Sequence, residues 1–291
     1  MRLGKKCKRK NNMKKIAVVT GGARGIGKVV SNRLVKEGFT VVICSRDIKE
    51  VKNTCKEIDP TGKKIFGIKA DVTNFKDCKK LIDFAYKKFK KIDVLFNNAG
   101  IYGPIGPVEE NSSEKWVEAM KINLFGALYC SQLVIPKMKK QRSGKIINMA
   151  GAGVGGKRPL ARFSAYYTSK TAVVGFTEVM GAELEEYNIQ VNCISPGAIN
   201  THFTDFLLSQ GKEKAGDTMY EQALKQKKSG GDSPLLAAEL IAFLVSPQSN
   251  HITGKMLSAK WDKIEMLKKM NKDSKSLFTL RRIDKELFYE K

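Results

Sequence analysis

Short apolar runs alternate with longer amphipathic stretches from residue 15 onward. Residues 16–20 are an apolar run that ends in a glycine-rich turn. Across residues 25–36, Ile26, Val29, Val30, Leu34 and Val35 recur at helical spacing and predict a helix. Residues 40–44 (Thr-Val-Val-Ile-Cys) have the continuous character of a strand covered on both faces. The same pattern predicts strands at 64–69, 92–96, 145–149 and 189–194. Helical stretches separate them, most clearly at 74–89, 113–138 and 165–186. Such alternation predicts an α/β fold with a doubly wound parallel sheet. Right-handed crossovers then gather the strand C-termini, and the ligand cleft with them, along one edge.

The rhythm breaks after the sixth strand. Residues 198–231 carry no strand pattern, and so long an insertion is expected to be a lid or binding loop. A helix at 234–245 and a short strand at 255–257 follow. With no repeat and no second core, residues 14–260 read as a single domain. A basic tail (1–13), expected to be disordered, precedes it, and a polar, basic extension (261–291) follows. The extension has apolar patches at Leu277-Phe278 and Leu287-Phe288. Two readings of it are open: a segment folded over the substrate cleft or a subunit boundary, or a poorly ordered tail.

Composition narrows the class. At 42% hydrophobic, the 291 residues can bury a full core. No apolar run approaches the roughly 20 residues of a membrane span. The charged N-terminal segment lacks the apolar stretch of a secretory signal, so a cytoplasmic location is expected. The six cysteines (7, 44, 55, 78, 130, 193) include no C-x-x-C pair. That speaks against a zinc site or a disulfide framework, and no metal is expected. The net charge of +24 raises nucleic-acid binding. Yet 43 of the 53 basic residues are lysines dispersed along the chain, the pattern of a solvated surface. No nucleic-acid-binding motif accompanies them, and no specific nucleic-acid function is expected.

The turn after the first strand reads Thr20-Gly-Gly-Ala-Arg-Gly-Ile-Gly27. Gly21 permits the tight turn, Gly25 lets backbone approach a pyrophosphate, and Gly27 allows close helix–strand packing. The following helix offers free N–H groups and a positive dipole to phosphates. Candidate cofactor contacts here are Thr20, Gly21, Arg24, Gly25, Ile26 and Gly27. The spacing T-G-x-x-x-G-x-G, Asn97-Asn-Ala-Gly100 after strand four, Asn123, Tyr166-Tyr-Thr-Ser-Lys170, Pro196-Gly197 and Ile252-Thr-Gly254 come in one order along residues 14–260. In this they resemble the short-chain dehydrogenase/reductase family. The resemblance implies a Rossmann-type domain, nicotinamide cofactor contacts from Asn97, Asn98, Ala99, Gly100, Pro196, Gly197, Ile199 and Thr201, and an adenine contact from Asp71 and Val72. A helix N-cap is the rival reading of Asp71.

The second strand ends Cys44-Ser45-Arg46-Asp47. Ser45 stands where a carboxylate would accept the ribose 2′-OH of NAD(H), and Arg46 and Arg24 suit a 2′-phosphate. NADP(H) is therefore favoured, with NAD(H) as the alternative. The rival reading leaves Arg46 solvated and makes Asp47 a helix cap.

Tyr166 and Lys170 are four apart, on one face of a helix. The resemblance makes Tyr166 the general acid/base, Lys170 the cation that tunes it and also binds the cofactor ribose, and Asn123 part of a water relay. One departure stands out. The family's serine after strand five aligns with Gly151 in Asn148-Met-Ala-Gly-Ala-Gly-Val-Gly-Gly156, and no serine occurs between Ser143 and Ser164. Backbone N–H groups of this loop, Ser164, or a loss of ordinary carbonyl reduction each account for it. Lys157, Arg158 and Arg162 suggest an anionic group on the substrate, or else a solvated surface. His202, at the lid, completes the substrate candidates.

The expected activity is that of an NAD(P)(H)-dependent oxidoreductase acting on CH–OH groups, which interconverts a secondary alcohol and a ketone. A homotetramer or homodimer formed through helices 113–138 and 165–186 is implied by the resemblance, although their apolar residues suit the core equally. The alternative function is a catalytically impaired nucleotide-binding regulatory protein of the same fold, supported by Gly151.

Overall fold

The structure, a computed structural model, describes residues 14–151, 153–155, 160–270 and 278–280. The basic tail 1–13, Lys157, Arg158 and Leu287-Phe288 lie outside the described residues.

Seven strands form one parallel sheet: β1 (Lys15–Thr20), β2 (Phe39–Ser45), β3 (Ile65–Lys69), β4 (Val94–Asn97), β5 (Gly144–Met149), β6 (Ile189–Ser195) and β7 (Lys255–Ser258). Their order is β3-β2-β1-β4-β5-β6-β7, all pairs parallel. The fold is a Rossmann-type doubly wound sheet in a single domain. Its order reverses between β1 and β4, where Ala17 pairs with Val94 and Val19 with Phe96. The loops leaving these two strands diverge to opposite faces and open a crevice at their C-terminal ends.

Successive side chains alternate faces, so each strand feeds two cores. Ala17, Val19, Val41 and Ile43 pack under α1 (Gly25–Lys36) and α2 (Ile48–Ile58). Val18, Val42 and Leu95 pack under α3 (Phe75–Phe89) on the other face. Full burial of one such aliphatic side chain contributes about 1.5–3 kcal/mol. Burial on both faces is why these strands read as unbroken apolar runs.

The predicted helix at 113–138 is interrupted. It consists of α4 (Ser113–Met120), a π-helical turn over Lys121–Phe125, and α5 (Gly126–Gln141). Gly126 sits where a Cβ would lie 2.9 Å from the Cβ of Val72, so the chain passes close to the β3–α3 loop. The extra residue of the π turn swings Asn123 inward, an offset that an average 3.6-residue period does not reveal. The next helix, α6 (Ser164–Glu183), lies beside β6.

The insertion at 198–231 is helical: α7 (His202–Ser209), α8 (Gly211–Ala215) and α9 (Asp217–Ser229). An antiparallel bridge between Ile199 and Gly231 closes its two ends. Then α10 (Pro234–Leu244) packs against α1. The described part of the extension lies along the domain. Leu267, in α11 (Ile264–Leu267), is buried in the core under α1 and α10. The Phe278 carbonyl accepts from Met256 N of β7 at 2.8 Å, and Leu280 packs near Val154 and Tyr167, behind the glycine-rich loop. Among the described residues no helix is long and apolar enough to cross a membrane, and no group of three or more His, Cys, Asp or Glu side chains suits a metal ion.

Candidate active site

A cleft of about 330 Å³ runs along the C-terminal ends of β1, β2, β4 and β5 and under the lid. At its phosphate end, Gly21 has φ +62° and Gly25 φ +52°. A Cβ on Gly27 would collide with the Gly21 carbonyl oxygen and lie 2.6 Å from Asn98 Nδ2, so the turn closes only without a side chain there. The N-terminus of α1 has no side-chain cap and no acid in its first turn, which leaves its N–H groups directed at the cleft. Thr20 Oγ1 accepts from Asn98 N (3.0 Å) and Ala99 N (3.2 Å). Asn98 Nδ2 donates back to Thr20 O (2.9 Å) and Gly21 O (3.1 Å). Thr20 and Gly27 thus brace the turn from below, whereas Gly21, Arg24, Gly25 and Ile26 line the cleft.

At the end of β2, Ser45 is half-buried and Arg46 exposed, and both line the cleft with Arg24. Asp47 caps α2, accepting from Lys49 N (2.7 Å) and Glu50 N (3.3 Å). Arg24 Nη1 lies 3.6 Å from Glu50 in an exposed pair, an arrangement worth little in water. Asp71 is not the cap of α3, which is Asn74. Its Oδ1 accepts from Thr73 N and Oγ1, both at 2.9 Å, and Asp71 and Val72 form the cleft wall there.

The Asn97-Gly100 motif divides. Asn98, Ala99 and Gly100 line the cleft. Asn97, expected as a cofactor contact, is turned into the protein: its Nδ2 donates to Asn148 Oδ1 (2.9 Å) and Ser131 Oγ (3.2 Å). The reason is strand alternation, because Asn97 is the last residue of β4 and faces α5.

At the opposite end stand Tyr166 and Lys170, on one face of α6. Tyr166 is buried, with Tyr102 edge-on at 4.8 Å between ring centroids. Lys170 Nζ donates to Met149 O at the end of β5 (2.8 Å). Burial pushes the Lys170 ammonium down to about 8, so it keeps its charge at neutral pH. Asn123 Nδ2 donates to Ile101 O (2.9 Å) and Ser169 Oγ (2.8 Å), and its Oδ1 accepts from Ile101 N (2.9 Å). Its amide is engaged in holding the β4 loop to α6.

Gly151 faces Tyr166. A Cβ there would lie 2.5 Å from Tyr166 Oη and 2.9 Å from Lys170 Cγ, so the phenol occupies the space a side chain would need. Ser164 does not replace the missing serine. Its Oγ accepts from Trp116 Nε1 (3.2 Å) and Asn111 Nδ2 (3.5 Å), because two residues along a helix point to opposite sides. Arg162 is also corrected: its Nη1 donates to Glu213 O (2.7 Å) and Lys214 O (3.5 Å) in α8, away from the cleft. Arg158 lies outside the described residues. Pro196, Gly197, Ile199, Thr201 and His202 line the lid side. Thr201 caps α7, accepting from Phe203 N, and the exposed His202 has its pKa lowered by partial burial and then by Arg24.

The family profile for short chain dehydrogenase matches residues 15–211. The chain belongs to the short-chain dehydrogenase/reductase family. It is similar to dehydrogenase/reductase SDR family member 4 of Caenorhabditis elegans, 34% identical over 244 residues, covering 84% of this chain and 92% of that one. It is equally similar, at 34% over 247 residues, to the 3-oxoacyl-[acyl-carrier-protein] reductase FabG of Staphylococcus epidermidis, covering 84% and 97%. Among solved structures it resembles an actinorhodin polyketide ketoreductase variant with NADPH (TM-score 0.76, 28% identity, 84% of this chain and 95% of that one). It also resembles an NAD+-bound xylitol dehydrogenase (TM-score 0.76, 28% identity, 85% and 98%). The chain is an oxidoreductase of this family, acting on CH–OH groups.

This short-chain dehydrogenase also builds its cleft from residues outside the motifs. Tyr102 and Phe203 meet at 4.8 Å and divide the cleft from a second cavity of about 480 Å³. That cavity is lined by the apolar Ile105 and Phe206 and by the charged Glu110, Lys115, Glu118 and Lys214. Gln222 and Gln226 of α9 reach the cleft from one helix face. Position two residues beyond Gly100 was the one available signal for Tyr102, and within the predicted lid nothing marked Gln222 or Gln226.

Proposed function

We propose that this short-chain dehydrogenase interconverts a ketone and a secondary alcohol, with NADP(H) preferred to NAD(H). The observation that carries the chemistry is the shared face of α6: Tyr166 on the cleft, and Lys170 buried one turn further with its ammonium against β5. A neighbouring cation favours phenolate and eases proton transfer at neutral pH. In reduction the Tyr166 hydroxyl gives its proton to the substrate oxygen, and in oxidation the phenolate takes it back. The glycine turn and uncapped α1 fit a dinucleotide, and a bound nicotinamide supplies or accepts the hydride. Asn98 to Gly100, Pro196 and Gly197 hold the cofactor, and Ile199 and Thr201 its carboxamide end. Neutral Ser45 and the cations Arg46 and Arg24 support the 2′-phosphate preference, since Asp47 is committed to capping α2 and the exposed Arg24–Glu50 pair is worth little in water. The cavity beyond Tyr102 suits a substrate with a sizeable apolar body. Exposed Val117, Phe125 and Val179 on α4, the π turn and α6 support a homodimer or homotetramer through these helices.

The test is Tyr166→Phe with fluorescence titration of NADPH and NADH. Turnover is expected to fall at least about 100-fold with NADPH binding retained. Arg46→Ala is expected to weaken NADPH about 10-fold or more and leave NADH unchanged. Retained turnover in Tyr166→Phe refutes the chemistry; tighter NADH than NADPH binding refutes the cofactor preference.

A further inference from the structure

A carbonyl oxygen that becomes an alkoxide has two lone pairs, and removing one preorganised donor costs on the order of 100-fold or more in rate. Tyr166 serves one lone pair. The family position that would serve the other is Gly151, which has no side chain and no space for one. The cleft offers few hydroxyls in exchange. Ser164 is turned to Trp116 and Asn111. Thr201 and Thr204 belong to the lid, where they accept from Phe203 N and Gln226 Nε2.

Tyr102 differs from these. Its ring is held on three sides, by Tyr166 at 4.8 Å, Phe203 at 4.8 Å and Phe163 at 5.4 Å. It lines the cleft and the second cavity together. Its hydroxyl is not sealed from solvent and has no hydrogen-bond partner among the described residues. A phenol whose ring is packed edge-on against the proton-transferring one, and whose hydroxyl is unengaged, is placed to act as a second donor. Resting on the ketone–alcohol reading of this cleft, we propose that the Tyr102 hydroxyl donates a hydrogen bond to the substrate oxygen alongside Tyr166, in the role left open by Gly151. Burial pushes the Tyr102 phenol up to about 12, so it stays neutral and keeps its proton throughout. The two tyrosines divide the work: Tyr166 exchanges a proton with the oxygen, and Tyr102 stabilises its developing charge.

Tyr102→Phe removes one oxygen and keeps the ring packing, so the fold is expected to survive. NADPH oxidation is followed with three carbonyl probes: ethyl acetoacetate, 2,3-hexanedione and 4-nitrobenzaldehyde. Tyr102→Phe is expected to lower kcat about 100-fold, with KM and NADPH affinity little changed. Wild-type kcat in Tyr102→Phe, with Tyr166→Phe inactive, makes Tyr102 a wall and overturns the inference alone. Turnover retained in Tyr166→Phe overturns the reading on which it rests. A wild-type protein that binds NADPH and reduces none of the three probes overturns both.

Discussion

Restoring a serine at position 151 gives this protein the residue that its family leads one to expect, and the structure argues that it does harm. A Cβ at Gly151 would lie 2.5 Å from Tyr166 Oη, 2.8 Å from Cζ and 2.9 Å from Lys170 Cγ. All three are well inside van der Waals contact, which for such pairs begins near about 3.5 Å. The backbone at Gly151 is outside the left-handed region, so the penalty is one of contact and not of strain. Neither neighbour is free to retreat. Tyr166 is buried with Tyr102 and Phe203 around its ring, and Lys170 is tied to Met149 O. Overpacking of this kind costs about 1–3 kcal/mol. If the phenol yields instead, a displacement of ~1 Å at a reacting group costs ~100-fold in rate. Gly151→Ala and Gly151→Ser are therefore both expected to lose about 100-fold in kcat, with the serine hydroxyl giving no rescue over alanine. Steady-state turnover beside NADPH titration and thermal unfolding separates a displaced phenol from a destabilised fold. A Gly151→Ser enzyme faster than wild type, with Gly151→Ala no faster, refutes the reasoning and marks the loop as a site that lacks only its hydroxyl.

Three further outcomes follow from the same geometry. Lys145, on β5, donates to Ser249 Oγ at 3.3 Å, and burial, then Lys15, pushes its pKa from 10.5 down to about 8. The unfolded chain therefore binds more protons between those values, so the burial cost is full below about pH 8 and fades as pH rises towards 10.5. Lys145→Met is expected to stabilise the protein near neutral pH by at most about 3 kcal/mol, an advantage that shrinks on alkalinisation; urea melts across that range check it, and a constant difference refutes it. Arg162→Ala removes the bonds to the Glu213 and Lys214 carbonyls, so substrate KM is expected to rise with faster amide exchange in 211–229; unchanged exchange counts against Arg162 as the lid's anchor. Gly27→Ala drives a methyl into the Gly21 carbonyl and Asn98, and cofactor binding is expected to fall below detection by fluorescence titration, whereas retained affinity means that the turn tolerates side chains.

The sheet was legible because its central strands β1, β2 and β4 are covered on both faces and read as nearly continuous apolar runs. The glycine turn was legible because backbone approach leaves little choice of residue. The lid helices were not, since α8 and α9 each bury a single alanine, Ala215 and Ala223, and show no apolar stripe. Motif matching also misjudged direction. It assigned Asn97 to the cleft although alternation along β4 turns it inward; the cation cluster, in turn, pointed Arg162 at the substrate although carbonyls distant in sequence receive its guanidinium. Ser164 lies close to Tyr166 in sequence but points the other way on the helix.

Asn123 joins these observations. The π turn brings its amide between two elements that share no local sequence: the loop after β4, through Ile101 N and O, and α6, through Ser169 Oγ. Ser169 Oγ in turn donates to the Tyr166 carbonyl at 2.8 Å. One side chain thereby links the backbone beside Tyr102 to the backbone of Tyr166. An unmet buried polar group costs about 1–3 kcal/mol, and releasing this amide would leave several unmet together. The separation of the two phenols is thus set by a connected polar network, and not by the packing of either ring alone. With a glycine at position 151, the loop after β5 offers no side-chain donor there, and the fixed separation of the two phenols matters the more.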